Sequence, residues 1–217
     1  MISKKKLFQN WKLVVITDSA ALEGRRDLEE VVRLAIAGGA DVIQLRDKAA
    51  TDAQMMRTAQ TLLRVTRPAG IPLIINDRLG VAKDSGADGL HLGQADGSLV
   101  RARSLLGKRA IIGRSTHSPE QALEAQKEGA DYIGVGPIFK TPTKPGLEPV
   151  GLRLVSFAAK NISIPFVAIG GIEASNVARV REAGARTVAV VRAVMSAEDP
   201  RNAAAQIRRA LSEKDRK

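Results

Sequence analysis

Cysteine is absent from the 217-residue chain, so disulfide bonds play no part in its stability. Long apolar runs are also missing, and none approaches the roughly 20 residues that a membrane-spanning helix requires. The opening stretch MISKKKLFQNWK carries charge, but no apolar segment of the kind found in signal peptides follows it. These absences predict a cytoplasmic protein that does not associate with a membrane.

Aromatic residues are scarce, with one Trp, one Tyr and four Phe, whereas 44% of the residues are hydrophobic. We therefore expect an aliphatic core and few rings for stacking on nucleic-acid bases. The formal net charge of +11 favours an anionic partner: nucleic acid, an anionic surface or a phosphorylated small molecule. Because the basic residues are spread along the chain and form no recognisable nucleic-acid module, phosphorylated small molecules are favoured. A non-catalytic basic binding protein is the alternative.

Eight short apolar runs alternate with helical patterns, which is typical of βα units and a parallel sheet. The predicted strands cover residues 13–16, 42–45, 73–75, 89–92, 110–112, 132–135, 166–169 and 187–191. The predicted helices cover residues 28–36, 51–65, 78–85, 98–106, 119–129, 152–160, 175–183 and 201–212. Ser118 and Pro119 are the types expected at an N-cap and at a first helical position.

A three-residue repeat, Gly-Ala-Asp at 39–41, 86–88 and 129–131 and Gly-Ala-Arg at 184–186, precedes each even-numbered strand. A pattern that recurs every second strand matches a barrel, in which alternate strands supply alternate interior layers. A doubly wound open sheet is the alternative, but a Gly-rich fingerprint is missing after the first strand. The sequence therefore predicts an α/β fold: one (β/α)₈ TIM barrel over residues 1–217, with flexible ends at 1–10 and 213–217.

Two aspartates follow neighbouring predicted strands, Asp77 after the third and Asp96 after the fourth. Parallel neighbours bring their carboxyl ends together, so the two carboxylates are expected to lie close to each other. Mg²⁺ binds to one or two protein carboxylates and completes its octahedron with water and phosphate oxygens. The alternative is a helix N-cap at Asp77 and a turn residue at Asp96.

A cationic face is expected after the second strand, where Gln44, Arg46 and Lys48 alternate and point into the barrel. Cations in a barrel mouth are costly unless an anion meets them, and Arg and Lys both bind phosphate. The alternative is that Arg46 and Lys48 only form ion pairs with Asp47 or Asp77.

Three later segments also carry site candidates. Ser115 follows the fifth strand, and the loop at 136–149 supplies Thr141, Thr143 and Lys144 among four prolines. Loops of this length in a compact domain are often functional, although a solvated surface loop is the alternative. The turns at 170–171 and 191–192 follow strands seven and eight, where barrels commonly bind phosphate. The chain's two histidines form no metal-type cluster and are expected to be structural.

Several motifs follow one another in a characteristic order and spacing. They are Gln44-Leu45-Arg46-Asp47-Lys48, Asn76-Asp77, Gly93-Gln94-Ala95-Asp96, Ser115-Thr116-His117-Ser118, Gly136-Pro137-Ile138-Phe139, Thr141-Pro142-Thr143-Lys144-Pro145 and Ala168-Ile169-Gly170-Gly171-Ile172. With them the chain resembles the thiamine-phosphate synthase (thiamine-phosphate pyrophosphorylase) family over nearly its whole length.

The resemblance implies a transferase that joins 4-amino-2-methyl-5-hydroxymethylpyrimidine diphosphate to 4-methyl-5-(2-phosphoethyl)thiazole by a dissociative, Mg²⁺-assisted substitution. It implies that Asp77 and Asp96 hold the Mg²⁺. The residues implied to contact the pyrimidine diphosphate are Gln44, Arg46, Lys48, Asn76, Ser115 and Lys144, and Arg46, Lys48, Ser115 and Lys144 are implied to be catalytic. Those implied to contact the thiazole phosphate are Thr141, Pro142, Thr143, Gly171, Val191 and Arg192. A homo-oligomer is compatible with the resemblance.

Two points qualify the resemblance. Arg192 stands where the family commonly has a small residue such as Ser. If the family's contact there is a backbone N–H, Arg192 leaves it intact or adds a charge; if the contact is the hydroxyl, the thiazole phosphate is expected to bind more weakly. The related thiazole tautomerases share the barrel and several glycine turns, but they typically lack the aspartate pair and carry a histidine in the strand-six loop. Asp77 and Asp96 therefore favour a synthase.

Overall fold

The computed structural model describes residues 8–22, 24, 26–143 and 146–212. Its strands are all parallel and form a closed barrel in chain order, which confirms the predicted (β/α)₈ fold and excludes the open sheet. Most of the predicted flexible ends, residues 1–7 and 213–217, lies outside the described residues. The strands are β1 Leu13–Ile16, β2 Val42–Leu45, β3 Leu73–Asn76, β4 Gly89–Leu92, β5 Ile111–Thr116, β6 Tyr132–Val135, β7 Phe166–Ile169 and β8 Val188–Val190.

Helices surround the barrel and alternate with the strands. They are α1 Leu28–Ala37, α2 Asp52–Thr66, α3 Leu79–Ser85, α4 Leu99–Leu106, α5 Pro119–Lys127, α6 Gly151–Asn161, α7 Val177–Glu182, α8 Arg192–Met195 and α9 Pro200–Ser212, with a 3₁₀ turn at Ser19–Leu22. Ser118 caps α5 and Pro119 opens it, as predicted. Among the described residues no helix is both long and apolar enough to cross a membrane.

Strand β5 is longer than the sequence pattern predicts. The apolar run ends at Ile112, but the strand continues through Thr116, because its main chain pairs with β4 as far as Arg114 and with β6 as far as Thr116. Main-chain pairing does not need apolar side chains, so an apolar run alone underestimates the length of the strand. Ser115 therefore lies on the barrel wall rather than in a following loop.

The core has two layers, one inside the barrel and one between strands and helices. Residues inside the barrel include Val14, Val42, Ile74, Tyr132 and Val167. Their neighbours along the strands, such as Ile43 and Leu45, pack against the helices instead. This alternation confirms the predicted inward face of β2. Trp11 and Phe8 pack against Tyr132 inside the barrel, with the Trp11 and Tyr132 ring centroids 5.6 Å apart.

The Gly-Ala-Asp repeat has a structural role at the amino-terminal ends of the strands. Its glycine ends a helix with positive φ, 98° at Gly39, which favours glycine. Its aspartate then accepts main-chain N–H hydrogen bonds from the odd-numbered strand just before it. The pairs are Asp41 with Lys12 and Leu13 (2.8 and 3.0 Å), Asp88 with Leu73 (2.8 Å) and Asp131 with Ile112 (2.8 Å). The repeat thus joins strands two at a time, which explains its period.

Two glycines provide a matched test of barrel packing. A Cβ at Gly89 on β4 would lie 2.1 Å from the carbonyl oxygen of Ile111, whereas a Cβ at Gly80 on α3 meets nothing within 4 Å. We expect Gly89→Ala to lower the free energy of unfolding by about 1–3 kcal/mol through overpacking. Gly80→Ala should raise it by about 0.4–1 kcal/mol, because alanine restricts the unfolded chain. Urea denaturation measures both, and equal shifts in the two variants would contradict the packing described here.

Candidate active site

A cavity of about 420 Å³ opens at the carboxyl ends of the strands. Every predicted site residue in the described part of the chain lines it; Lys144 lies outside the described residues. The lining residues predicted from the sequence are Gln44, Arg46, Lys48, Asn76, Asp77, Asp96, Ser115, Thr141, Pro142, Thr143, Gly171, Val191 and Arg192. The structure brings these residues together, while the role of each one stays a prediction.

Asp77 and Asp96 face each other across the ends of β3 and β4, and carboxylate oxygens of both lie within 4.0 Å of the position that a Cβ at Gly93 would occupy. Asp77 has a φ of 63°, in the left-handed region that Asp tolerates better than most residues, and its N–H donates to the carbonyl of His91 at 2.8 Å. The alternative role of Asp77 as an N-cap is wrong, because Arg78 occupies the cap of α3 and no side chain caps it. Asp96 does lie in a turn, as the alternative held, and still faces Asp77.

The two carboxyl groups differ in their affinity for a proton. Burial raises the pKa of Asp77, but hydrogen bonding to Asp96 and the charge of Lys48 outweigh it and hold that pKa below its ordinary value. The pKa of Asp96 is raised, first by burial and then by the neighbouring Asp77. Asp96 therefore has the higher proton affinity of the two carboxyl groups, and Asp77 has the lower one.

Gly93 makes room for this pair. A Cβ at Gly93 would lie 2.4 Å from Oδ2 of Asp96, and the Gly93 N–H donates to the same oxygen at 2.9 Å. Two close carboxylates match the donor set of Mg²⁺, which binds to one or two protein carboxylates. Within the described ranges no group of three or more His, Cys, Asp or Glu side chains suits a metal. The remaining ligands of an ion here must come from water or substrate.

Lys48 lies beside the acidic pair, and Arg46 lines the same cavity. Lys48 Nζ is 3.0 Å from Asp77 Oδ2, as the ion-pair alternative held, and Arg46 lies in a loose 3.8 Å contact with Asp18. Asp47 does not pair with either cation; it accepts hydrogen bonds from Ser19 Oγ at 2.6 Å and from two main-chain N–H groups of its own loop. The loop after β2 therefore presents both cations to the cavity.

The deep end of the cavity carries amide and hydroxyl groups. Gln44 is buried, and its Nε2 donates to Oδ1 of Asn76 at 2.8 Å, so each amide orients the other. Ser115 Oγ lies 2.9 Å from Nε2 of His91. This end suits a polar, uncharged ring rather than a phosphate.

His91 links Ser115 to a tyrosine inside the barrel. Its Nδ1 lies 2.9 Å from the Tyr132 hydroxyl, and burial raises the pKa of Tyr132 far above its ordinary value, so that this hydroxyl stays protonated. Neither His91 nor Tyr132 was singled out from the sequence as a site residue. The position of His91 on the inward face of β4, two residues after Gly89, is the signal that could have found it.

The wall formed by β7 and β8 differs from the acidic side. Gly170 and Gly171 both have positive φ, 103° and 62°, and a Cβ at Gly171 would lie 2.6 Å from the carbonyl oxygen of Lys140. Asn176 Nδ2 donates to the carbonyl of Gly171 at 2.8 Å and holds this turn. Arg192 begins the short helix α8 directly beside it. The glycine turn and Arg192 thus line the cavity together at this wall.

The loop after β6 covers the same wall. The N–H groups of Ile138 and Phe139 donate to the carbonyls of Ile169 and Gly170 at 2.9 and 3.0 Å, so the loop begins as an ordered continuation along β7. The N–H of Thr143 donates to Oγ1 of Thr141 at 3.3 Å. The described start of the loop is therefore tied to the barrel, unlike the freely solvated loop of the alternative.

Comparison with known proteins identifies the family. The family model described as thiamine monophosphate synthase matches residues 13–194. Thiamine-phosphate synthase of Chloroflexus aurantiacus is 47% identical over 204 residues, which are 94% of each chain, and that of Syntrophomonas wolfei is 47% identical over 92% of this chain and 95% of the relative. This chain belongs to the thiamine-phosphate synthase family.

A solved structure agrees with this membership. Thiamine phosphate pyrophosphorylase from Pyrococcus furiosus superimposes with a TM-score of 0.86 at 38% identity, covering 94% of this chain and 97% of that one. As a member of the thiamine-phosphate synthase family the chain is a transferase, which confirms the resemblance found in its motifs. The acidic pair, the cations and the glycine turn described above are therefore features of a thiamine-phosphate synthase barrel.

Proposed function

We propose that the protein joins 4-amino-2-methyl-5-hydroxymethylpyrimidine diphosphate to 4-methyl-5-(2-phosphoethyl)thiazole, forming thiamine phosphate and pyrophosphate. The proposal rests on one observation, which is that opposite walls of a single cavity carry different groups. Asp77, Asp96 and Lys48 lie at β2 to β4, while the Gly170–Gly171 turn and Arg192 lie at β7 and β8. Strands four positions apart in a closed eight-stranded barrel face each other, so two anionic groups can bind at opposite walls.

The diphosphate would bind at the acidic wall, between the cations and the metal. Asp77 and Asp96 would hold Mg²⁺, and the resemblance adds Lys144 to Lys48 and Arg46 as partners of the phosphate oxygens. When bound, the ion supplies charge neutralisation to the departing pyrophosphate. Lys48 is already 3.0 Å from Asp77, so one small side-chain movement carries its charge to a phosphate oxygen beside that carboxylate.

The aminopyrimidine ring would occupy the deep end. Gln44 and Asn76 offer it both a donor and an acceptor, and Ser115 adds a hydroxyl held by His91. The thiazole phosphate would bind at the opposite wall, against Gly171, Val191, Arg192 and the segment Thr141-Pro142-Thr143. In this proposal the reacting carbon and the thiazole nitrogen would lie between the two anion sites.

The chemistry requires one bond to break and one to form. The bond between the pyrimidine's methylene carbon and the diphosphate oxygen breaks, and pyrophosphate leaves with the electron pair. The aminopyrimidine ring stabilises the resulting cation, and the thiazole nitrogen donates its lone pair to form the new C–N bond. No proton is removed by a strong base, so positioning and electrostatic stabilisation are what the protein must supply. A site with cations, carboxylates and neutral polar groups fits this requirement.

The test is a direct assay of the purified protein. Both substrates are incubated with Mg²⁺, with EDTA, and with EDTA followed by excess Mg²⁺, and thiamine phosphate is quantified. We expect product only with free Mg²⁺ and full recovery on adding the metal back. Absence of product from folded protein with both substrates intact contradicts the proposal.

Two other outcomes would identify the alternatives. Interconversion of thiazole phosphate isomers without condensation indicates a tautomerase. DNA binding that weakens steeply with salt, together with no stabilisation by Mg²⁺ and pyrophosphate, indicates a basic binding protein. The relatives' names favour the synthase over both. We propose a cytoplasmic location as well, and a homo-oligomer remains a prediction.

A further inference from the structure

Residues of strand β5 hold the loop that carries Asp96, residues 93–97. Arg114 Nη1 donates to the carbonyl of Gly93 at 2.7 Å, and its Nη2 donates to the carbonyl of Gly97 at 2.8 Å. Gln94 Nε2 donates to the main-chain carbonyl of Ser115 at 2.5 Å. The two Arg114 acceptors bracket Asp96, one before it and one directly after it.

Arg114 reaches this loop because of its register on β5. Gly113 and Ser115, its neighbours, contact Tyr132 and His91 inside the barrel, so the Arg114 side chain lies on the outer face of the strand. Arg114 pairs with Leu92, the last residue of β4, directly before the loop. Its side chain is only 8% exposed, and its nearest described carboxylate, on Glu128, lies 3.8 Å away.

A buried guanidinium without a close ion pair is costly unless its N–H groups are hydrogen-bonded. Here they bind main-chain carbonyls of one loop, and the planar fork of arginine suits two separate acceptors. Gly93 in turn is bonded to Asp96 twice, through Asp96 N–H to its carbonyl at 3.2 Å and through its own N–H to Asp96 Oδ2 at 2.9 Å. The contacts therefore run from Arg114 through Gly93 to the carboxylate.

We propose that Arg114 is a positioning residue that holds Asp96 in place for a divalent cation. The inference rests on the proposed function in one respect, the assignment of Asp96 as a metal ligand. Groups that orient metal ligands typically contribute about 10–100-fold to metal affinity. Arg114 is not among the residues that line the cavity, and it acts through the loop at 93–97.

The test measures Mn²⁺ alone, by the EPR signal of the free ion, so that it does not depend on turnover. Arg114→Met keeps the length and apolar stem but removes the donors, and Arg114→Lys keeps the charge without the fork. We expect Arg114→Met to raise the Kd for Mn²⁺ about 10–100-fold and Arg114→Lys to give an intermediate value. If Arg114→Met does not fold, the lysine variant carries the test.

Arg103 on α4 provides the matched control. It also binds main-chain carbonyls, those of Gly107 and Ala110 at 3.2 and 2.6 Å, and Asp131 at 2.6 Å, but at the amino-terminal ends of β5 and β6. Arg103→Met should lower thermal stability and leave the Kd for Mn²⁺ unchanged. Wild-type affinity in a folded Arg114 variant, or an equal loss in Arg103→Met, would overturn the inference.

Asp96→Asn separates this inference from the proposed function. If Asp96→Asn weakens Mn²⁺ binding and the Arg114 variants do not, the metal site stands and the role of Arg114 is wrong. If Asp96→Asn binds Mn²⁺ as the wild type does, the metal assignment itself is wrong, and the role of Arg114 fails with it.

Discussion

Asp77→Asn is expected to lower kcat about 10²–10³-fold, the cost typical of removing one preorganised electrostatic group from an active site. The pKa of Asp77 is held below its ordinary value, and Asp77 Oδ2 lies 3.0 Å from Lys48 Nζ. Asp77→Asn therefore removes a carboxylate from the proposed metal site and the ion-pair partner of Lys48. The fold should tolerate the change, because asparagine, like aspartate, adopts the φ of 63° found here. We therefore expect only a small shift in melting temperature.

The Asp77→Ala variant would be harder to interpret, because two effects would change kcat and stability together. A residue without a short polar side chain costs about 1–2 kcal/mol in this left-handed conformation, so Asp77→Ala combines strain with loss of charge. The matched control is Asp84→Asn on helix α3, the same chemical change at an exposed position. Steady-state kinetics and thermal denaturation of both variants decide the matter. A stable Asp77→Asn enzyme with wild-type kcat would show that Asp77 is not a metal ligand.

Gly171→Ala should raise the KM for the thiazole phosphate about 10–100-fold and leave the KM for the pyrimidine diphosphate nearly unchanged. A Cβ there would lie 2.6 Å from the Lys140 carbonyl and 2.8 Å from Phe139 Cβ, so the turn must move. Losing one hydrogen bond to a charged group costs about 1.5–3 kcal/mol, and each 1.4 kcal/mol is about tenfold in affinity.

Gly70→Ala controls for backbone strain. Gly70 has a φ of 68°, close to the 62° of Gly171, but a Cβ there meets nothing within 4 Å and the residue lies outside the cavity. The Gly70→Ala variant should be less stable than the wild type, and both of its KM values should be unchanged. Initial rates with each substrate varied in turn provide the comparison. An equal rise of both KM values in Gly171→Ala would place the turn away from the thiazole phosphate.

The sequence predicts those parts of the site that depend on strand order alone. Asp77 and Asp96 could be paired because their strands are neighbours and both ends are polar. Gln44, Arg46 and Lys48 could be placed on one face because side chains alternate along a strand. The first inference uses the order of the strands and the second uses the alternation of side chains along one strand. Neither requires knowledge of side-chain packing.

Contacts set by packing could not be predicted in this way. Arg114 binds carbonyls 17 and 21 residues earlier, which depends on how far β5 extends beyond its apolar run. The chain of contacts from Tyr132 through His91 to Ser115 depends on the relative rotation of three strands. The inward position of His91 on β4 can be read from the sequence, but no composition or spacing signal carries that rotation, so the contacts of His91 emerge only when the strands are assembled.

Closure of the barrel also has a consequence for synthesis of the chain on the ribosome. The first strand pairs with the last, with Val14 beside Ala189, and Asp41 is bonded to Arg208 of the final helix. Nascent chain up to β7 therefore has two unpaired sheet edges and an incomplete cavity wall. The binding cavity is completed only when β8 and α8 have emerged, so we expect unfinished chains to lack both substrate binding and protection of their edges from aggregation.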